Sequence, residues 1–345
     1  MSNRRAVLTF AASTLALTLA ACGSSSDAAS PSASASTTNG AAAGSFPVTI
    51  THAFGETVIK AKPERVVTVA WANHEVPLAL GVTPVGMAKA TWGDDDADGI
   101  LPWVKEKLTG EAPVLFDETD SIDFEGVANT NPDVILAAYS GLTKEDYDKL
   151  SEIAPVVAYP KTAWTTSMND MIELNATAIG LEAEGKTLVA ELEKQVKDAA
   201  AKHPSFAGKT AMFAFVDPKD MSKIGYYTTG DPRAAMLEQV GLTTPKLVAS
   251  QAGAEKFFQE LSAEQADQLS DVDIIDTYGD KDGALVTALQ ANPLLAKIPA
   301  IANGAVVSLV DNTPLAAAAN PSPLDIPWGL DDYLALIDEA AAKAK

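Results

Sequence analysis

Four sets of residues in this chain are of types that could do chemistry. Cys22 is the lone cysteine, so it cannot close an internal disulfide or build a thiolate-rich metal centre, but it can carry a modification. Asp94, Asp96, Asp98 and Gly99 match the opening of a calcium loop, in which alternating carboxylates converge on one cation. Position nine of that loop is Pro102 and position twelve is Lys105, where a bidentate Glu is required, so it reads as an acidic loop bordering a cleft. Ser140 follows an apolar run in AYSGL, yet the G-x-S-x-G turn of a nucleophilic serine is absent and no His lies near it in sequence. His52, His74 and His203 are too scattered for a His-rich metal site, and neither a G-x-G-x-x-G nor a P-loop pattern occurs to cradle a cofactor. These residues point away from an enzyme, a resident metal or a cofactor, and toward a binding function.

Charge narrows the field further. The 345 residues carry 25 Lys and Arg against 46 Asp and Glu, a net charge of −21. Binding to a phosphate backbone needs clustered cations, so nucleic acid is excluded as a partner. Arg4-Arg5, the apolar stretch Ala6 to Ala21 and the small residues ending it form the three regions of a secretion signal. That stretch is too short for a comfortable membrane span. Leu19-Ala20-Ala21-Cys22 resembles a bacterial lipobox, which implies a signal peptide over 1–21 and a lipid anchor on Cys22. From there to Ser45 the chain is Ser, Ala, Gly, Thr and Pro without a periodic apolar face, so 22–45 is expected to be a flexible tether.

The elements that must position any site follow the tether. Val48–Ile50 and Thr57–Ile59 flank a turn and predict a hairpin. Short apolar runs at 65–70, 85–88, 114–116, 134–138 and 156–159 predict strands, with helices near 74–80, 100–108, 124–130 and 144–153. Together they predict an N-terminal α/β lobe over 46–165. Ser167 caps a helical segment closing near Gly180, and a second helix over about 182–202, with Leu188, Leu192, Val196 and Ala199 on one face, reaches roughly 30 Å. The 166–203 region therefore predicts a helical bridge. Strands at 210–216, 272–276 and 306–309, with helices at 232–239, 263–269, 284–290 and 331–342, predict a second α/β lobe over 204–345. The segments 132–159 and 272–301 echo each other as strand, Tyr, turn, helix and proline-marked return, so the two lobes read as related halves of a clamshell.

The stretches PERVVTVAW (63–71), LGVTPVG (80–86), NPDVILAAYSGLT (131–143), LSEIAPVVAYP (150–160) and IPWGLDDYL (326–334) together resemble the bacterial iron-siderophore and cobalamin substrate-binding protein family of ABC importers. The resemblance favours the iron-siderophore branch. It implies two α/β lobes bridged by a long helix, a monomer anchored outside the cell membrane, and a ferric siderophore held in a shallow cleft for delivery to ABC permease subunits. Haem or cobalamin is the alternative cargo, and a noncatalytic surface interaction protein the more distant one. The iron would arrive already coordinated, so no cofactor or protein metal ligand is implied.

A cleft of that kind forms where strands end and loops begin. Trp71, Trp92, Tyr139, Ser140 and Trp164 follow strands of the first lobe. Tyr226 and Tyr227 precede the helix carrying Arg233, Tyr278 follows the 272–276 strand, and Trp328 stands in a Pro/Gly-punctuated loop before the last helix. Aromatic faces would cover the apolar parts of a chelate while hydroxyl and indole N–H groups meet its oxygens, although buried core aromatics give the same composition. Arg233 could offset the charge of an anionic chelate or pair with Asp231 or Glu238 at the helix start. Arg65, just before a strand, reads as structural, and Trp103, inside a helical pattern, as packing. Family members dock their permease through one acidic residue per lobe. The matching residues are Glu125 in IDFEGV and Glu264 in LSAEQA, each early in a helix, where a carboxylate also favours the helix dipole.

Overall fold

Strands made of continuous β-branched and apolar residues, without alternation, can only be stable when both faces are covered. The computed structural model, described here over residues 44–253 and 256–345, has two sheets of this kind. Residues 1–43, with the expected signal peptide, Cys22 and nearly all of the tether, lie outside the described residues. In the first lobe, β3 (Val66–Thr68), β4 (Gly86–Ala88), β5 (Val114–Phe116), β6 (Val134–Ala137) and β7 (Val156–Ala158) form a parallel sheet in the order β5-β4-β3-β6-β7. Val66, Val67, Ile135, Leu136 and Val157 are all buried. The opening hairpin is β1 (Val48–His52) and β2 (Gly55–Ile59), paired from Val48–Ile59 to His52–Gly55.

The second lobe holds β8 (Ala211–Phe215), β9 (Lys223–Tyr227), β10 (Phe258–Ser262), β11 (Ile274–Gly279) and β12 (Val306–Val310) in the order β10-β9-β8-β11-β12. β8, β11 and β12 are parallel, whereas β9 and β10 are antiparallel additions at one edge that periodicity did not predict. In each sheet the strand of the echoed segment, β6 or β11, pairs directly with the central strand.

Several predicted elements change in extent. The 100–108 helix is only Pro102–Lys105, and the 263–269 helix winds as a 3₁₀ turn. The 272–276 strand shifts to Ile274–Gly279, which puts Tyr278 inside β11. The last helix starts at Asp325 rather than Asp331. Pro327 is its third residue, where a missing N–H costs nothing because first-turn amides have no intrahelical acceptor.

The Met168–Ala178 and Glu182–Ala200 helices join the lobes. Ser167 caps the first by accepting from the Asp170 N–H. The second is 19 residues, roughly 28 Å at 1.5 Å per residue, and buries Gly185, Val189, Leu192, Val196 and Ala199 along one face. It packs on the Met168–Ala178 helix from one side and on the Asp325–Ala341 helix from the other. One apolar core runs continuously through this bridge, from Ile50, Val66 and Leu136 through Ile172 and Leu192 to Phe213, Val307 and Leu334.

Candidate functional site

The loops leaving β3, β6 and β7 meet at the gap between the lobes, and a buried Asn fixes the first two together. Asn73 donates from Nδ2 to the carbonyls of Val69 (2.9 Å) and Tyr139 (2.8 Å), and its Oδ1 accepts from the Tyr139 N–H and from Asn175 Nδ2 (both 3.1 Å). The Trp71 loop is thereby tied to the Tyr139 loop. Ala70, Ala72 and Trp164 adopt left-handed backbone angles, φ of 61°, 59° and 61°, unusual for residues with a Cβ and concentrated beside this gap. The Trp164 N–H donates to the Ser140 carbonyl at 3.0 Å, and its indole lies where a side chain at Gly141 would stand.

A cavity of about 290 Å³ results, walled by Trp71, Trp92, Tyr139 and Trp164 from the first lobe and Tyr227, Arg233, Phe257, Tyr278 and Asn320 from the second. Tyr139 meets Trp164 edge-on at 5.3 Å, and Trp92 meets Tyr278 edge-on at 5.2 Å across the lobes. Asn320 Nδ2 donates to the Tyr139 hydroxyl at 3.2 Å, and the Gly93 N–H donates to Asn312 Oδ1 at 2.7 Å, both also bridging the lobes. Burial pushes the Tyr139, Tyr227 and Tyr278 hydroxyls up, so all three are neutral donors at physiological pH.

Arg233 is held as an ion pair. Its Nε and Nη2 donate to Asp231 Oδ1 (2.8 Å) and Oδ2 (2.7 Å), and its guanidinium carbon lies 3.9 Å from the Tyr227 ring centre. Asp231, fully buried, also accepts from the Arg233 backbone N–H as the helix cap. The pairing with Asp231 is thus real, and it coexists with a place in the cavity wall. Nη1 remains at that wall, 3.4 Å from the Tyr278 hydroxyl. The one charged residue of the cavity wall is therefore paired with a buried carboxylate.

Three expected site residues lie elsewhere. Ser140 is fully buried and donates to the Ala137 carbonyl at 2.7 Å, so it closes the turn after β6 and does not face the cavity. Tyr226 points with Ile224 into the second-lobe core, because neighbouring residues of β9 face opposite sides and Tyr227 takes the cleft side. Trp328 sits in the first turns of the Asp325–Ala341 helix, not in a loop. Its ring lies 4.8 Å from that of Trp103, away from the cavity. Phe257 and Asn320 are wall residues that the sequence reading missed. Phe257 immediately precedes the unpredicted strand β10, and Asn320 lies past the short Pro314–Ala318 helix.

Other residues take structural parts. Arg65 donates from Nε to the Thr130 and Asn131 carbonyls (3.0 Å each), and Trp103 is buried with its Nε1 donating to Glu75 at 2.8 Å. In the acidic loop Lys105 Nζ itself bridges Asp96 (2.8 Å) and Asp98 (2.7 Å). Among the described residues no group of His, Cys, Asp and Glu is arranged to hold a metal ion. Glu125 and Glu264 are both exposed, in the first turns after Asp123 and Ser262, whose side chains cap those turns.

Comparison with known proteins agrees with this architecture. Residues 66–313 match the periplasmic binding protein family. A solved structure of PiaA from Streptococcus pneumoniae in complex with ferrichrome superposes with a TM-score of 0.83 at 45% identity, covering 86% of this chain and 99% of that one. YfiY of Bacillus subtilis, named a probable siderophore-binding lipoprotein, is 29% identical over 262 residues, 74% of this chain and 73% of its own length. FepB of Escherichia coli, named a ferric enterobactin-binding periplasmic protein, is 27% identical over 284 residues, 79% of this chain and 86% of its own. Two α/β lobes on a helical bridge, with an aromatic cleft between them, are what a substrate-binding component needs, and the chain belongs to the periplasmic binding protein family.

Proposed function

We propose that this chain is an extracytoplasmic, lipid-anchored receptor that captures a ferric siderophore of low net charge and delivers it to an ABC permease. The observation that carries this reading is the cleft itself: aromatic faces from both lobes around a single guanidinium already paired with a buried carboxylate. Flat apolar walls suit the organic shell of a chelate, and neutral hydroxyl and indole donors suit its oxygens. A tris-catecholate complex carries several negative charges that this paired guanidinium would leave uncompensated, whereas a ferric tris-hydroxamate is neutral. The geometry therefore favours hydroxamate-type cargo. The relatives named for ferrichrome, siderophores and ferric enterobactin support the broader cargo class. Iron enters already coordinated, held by its chelator.

Delivery would use Glu125 and Glu264, one exposed carboxylate per lobe, against basic pockets of the two permease subunits, and Cys22 would carry the anchor. Uptake of radiolabelled ferric trihydroxamate by cells tests this directly. The Glu125→Ala plus Glu264→Ala variant should lose uptake while the purified protein binds cargo unchanged, and Cys22→Ala should leave the membrane fraction. Wild-type uptake in the double variant would overturn the docking assignment, and membrane retention of Cys22→Ala the anchor.

A further inference from the structure

The peptide groups around Trp71 are pinned one after another. Val69 continues the β3 pairing by donating to the Leu136 carbonyl at 3.1 Å. The next N–H, that of Ala70, leaves the sheet and donates to Glu118 Oε2 at 2.8 Å, and the Trp71 carbonyl accepts from Asn73 Nδ2 at 3.2 Å. Between these fixings Ala70 and Ala72 hold left-handed backbone angles, which a Cβ disfavours. The acceptor side of the Ala70 contact is costly too. Glu118 is partly buried and its Oε1 is buried without a partner, so a single bond holds a carboxyl group that water would otherwise solvate. Burial, with a smaller push from Asp123, raises this carboxyl to about 7, so it is ionised at pH 8.

Glu118 comes from outside the cleft loops. It stands two residues after β5, in a largely exposed segment, 117–123, that runs directly into the Phe124–Asn129 helix and Glu125. Asp117 accepts from the Thr119 N–H (3.1 Å) and hydroxyl (2.7 Å) at one end, and Asp123 accepts from the Gly126 N–H (2.8 Å) at the other, so the segment is short and tightly turned. The cost of a left-handed Ala and the gain from one hydrogen bond to a charged group are of the same order, so a small shift of this segment decides whether the Ala70 contact is made. We propose that Glu118 couples the cleft to the docking face: cargo against Trp71 favours the made contact and stiffens 117–125, and a permease that displaces this segment through Glu125 loosens Trp71. The coupling rests on the cargo and docking readings above and gives them a release step. Linkage is reciprocal, so the effect of cargo on the segment reports the effect of the segment on cargo.

The test uses the purified protein at pH 8 with ferrichrome, a neutral ferric trihydroxamate. In calorimetric titration Glu118→Ala should bind roughly tenfold more weakly, the scale of one hydrogen bond to a charged group. Adding Ala70→Gly should recover most of that loss, because glycine keeps φ near 61° without the bond. Amide hydrogen exchange at saturating ferrichrome then separates coupling from positioning. In the wild type, cargo should slow exchange over 117–125 roughly fivefold. In Glu118→Ala, with or without Ala70→Gly, cargo should still protect 69–73 but leave 117–125 unchanged. Exchange over 117–125 that ignores cargo in the wild type, or still responds to it in Glu118→Ala, would overturn the coupling. An affinity loss that Ala70→Gly does not repair would overturn the role of backbone strain. If ferrichrome does not bind the folded wild type, the hydroxamate cargo reading falls and the coupling with it, whereas wild-type uptake in the Glu125→Ala plus Glu264→Ala variant overturns the docking half alone.

Discussion

At the scale of single residues, the cleft depends on residues that do not line the cavity. Asn73 holds the Trp71 and Tyr139 loops together, Asp231 fixes the guanidinium of Arg233, and the missing side chain at Gly141 makes room for Trp164. A Cβ at Gly141 would stand 2.2 Å from the Trp164 Nε1, so Gly141→Ala must displace the indole. We expect that variant to bind cargo roughly tenfold more weakly, about 1.4 kcal/mol, in the same calorimetric titration. Unchanged affinity would remove Trp164 from the binding surface. The sequence reading reached Trp71, Trp92, Tyr139, Trp164, Tyr227, Arg233 and Tyr278 from their places near strand ends, and the cavity wall brings them together. It named both members of a pair where orientation separates them, Tyr227 at the cavity wall and Tyr226 in the second-lobe core. Tyr226 and Tyr227 are indistinguishable until β9 is known to be a strand, and Trp328 reads as a loop residue only if Pro327 and Gly329 are taken as breakers. Asn73 and Asn320 carried no compositional signal, because a buried amide acts through partners distant in sequence.

At the scale of elements, what could be read depended on how each strand is buried. The parallel strands β3, β6, β7, β8 and β12 are short apolar runs covered on both faces, and such runs stand out against polar loops. β9 and β10 do not, since KIGYY contains a glycine and FQELS mixes polar with apolar residues at the sheet edge. Gly225 is needed there because the ring of Phe258 on β10 packs where a Cβ would be. The bridge was legible from its period: Leu192, Val196 and Ala199 do face inward, although Val189 rather than Leu188 leads the buried stripe. Gly185 lets this helix approach Ala176 closely, a contact no periodicity could reveal.

At the scale of the whole molecule, the two lobes are fastened as well as bridged. The core is continuous from one sheet to the other, and Glu75 of the first lobe reaches into the second, accepting from the Leu324 N–H at 2.9 Å and from the Ser322 hydroxyl. These ties oppose a wide hinge motion between the lobes. The tie also makes stability depend on pH. Burial raises the carboxyls of both Glu75 and Asp325, whose mutual repulsion raises Asp325 further, and burial pushes Asp276 up to about 7 against the hydrogen bond from Tyr333. A carboxyl whose pKa is raised by folding binds more protons in the folded state, so its stabilising contribution is complete below its unfolded pKa and is lost as pH rises toward the folded one. Thermal unfolding should therefore occur at a higher temperature near pH 5 than near pH 8, with each such group contributing at most about 1.4 kcal/mol per pH unit. Repulsion within a chain of net charge −21 acts in the same direction, so the diagnostic is the variant: Asp276→Asn should flatten the slope, and an unaltered slope would contradict the assignment. The central claim, that the cleft takes a neutral ferric siderophore, is tested most directly by titrating the purified protein and following tryptophan fluorescence. The ligands are a ferric trihydroxamate, ferric enterobactin, the iron-free chelators, haem and cobalamin. The account predicts saturable quenching at submicromolar trihydroxamate, with weaker binding of the tris-catecholate. Tight binding of haem or cobalamin, or no binding of any ferric chelate by the folded protein, would contradict it.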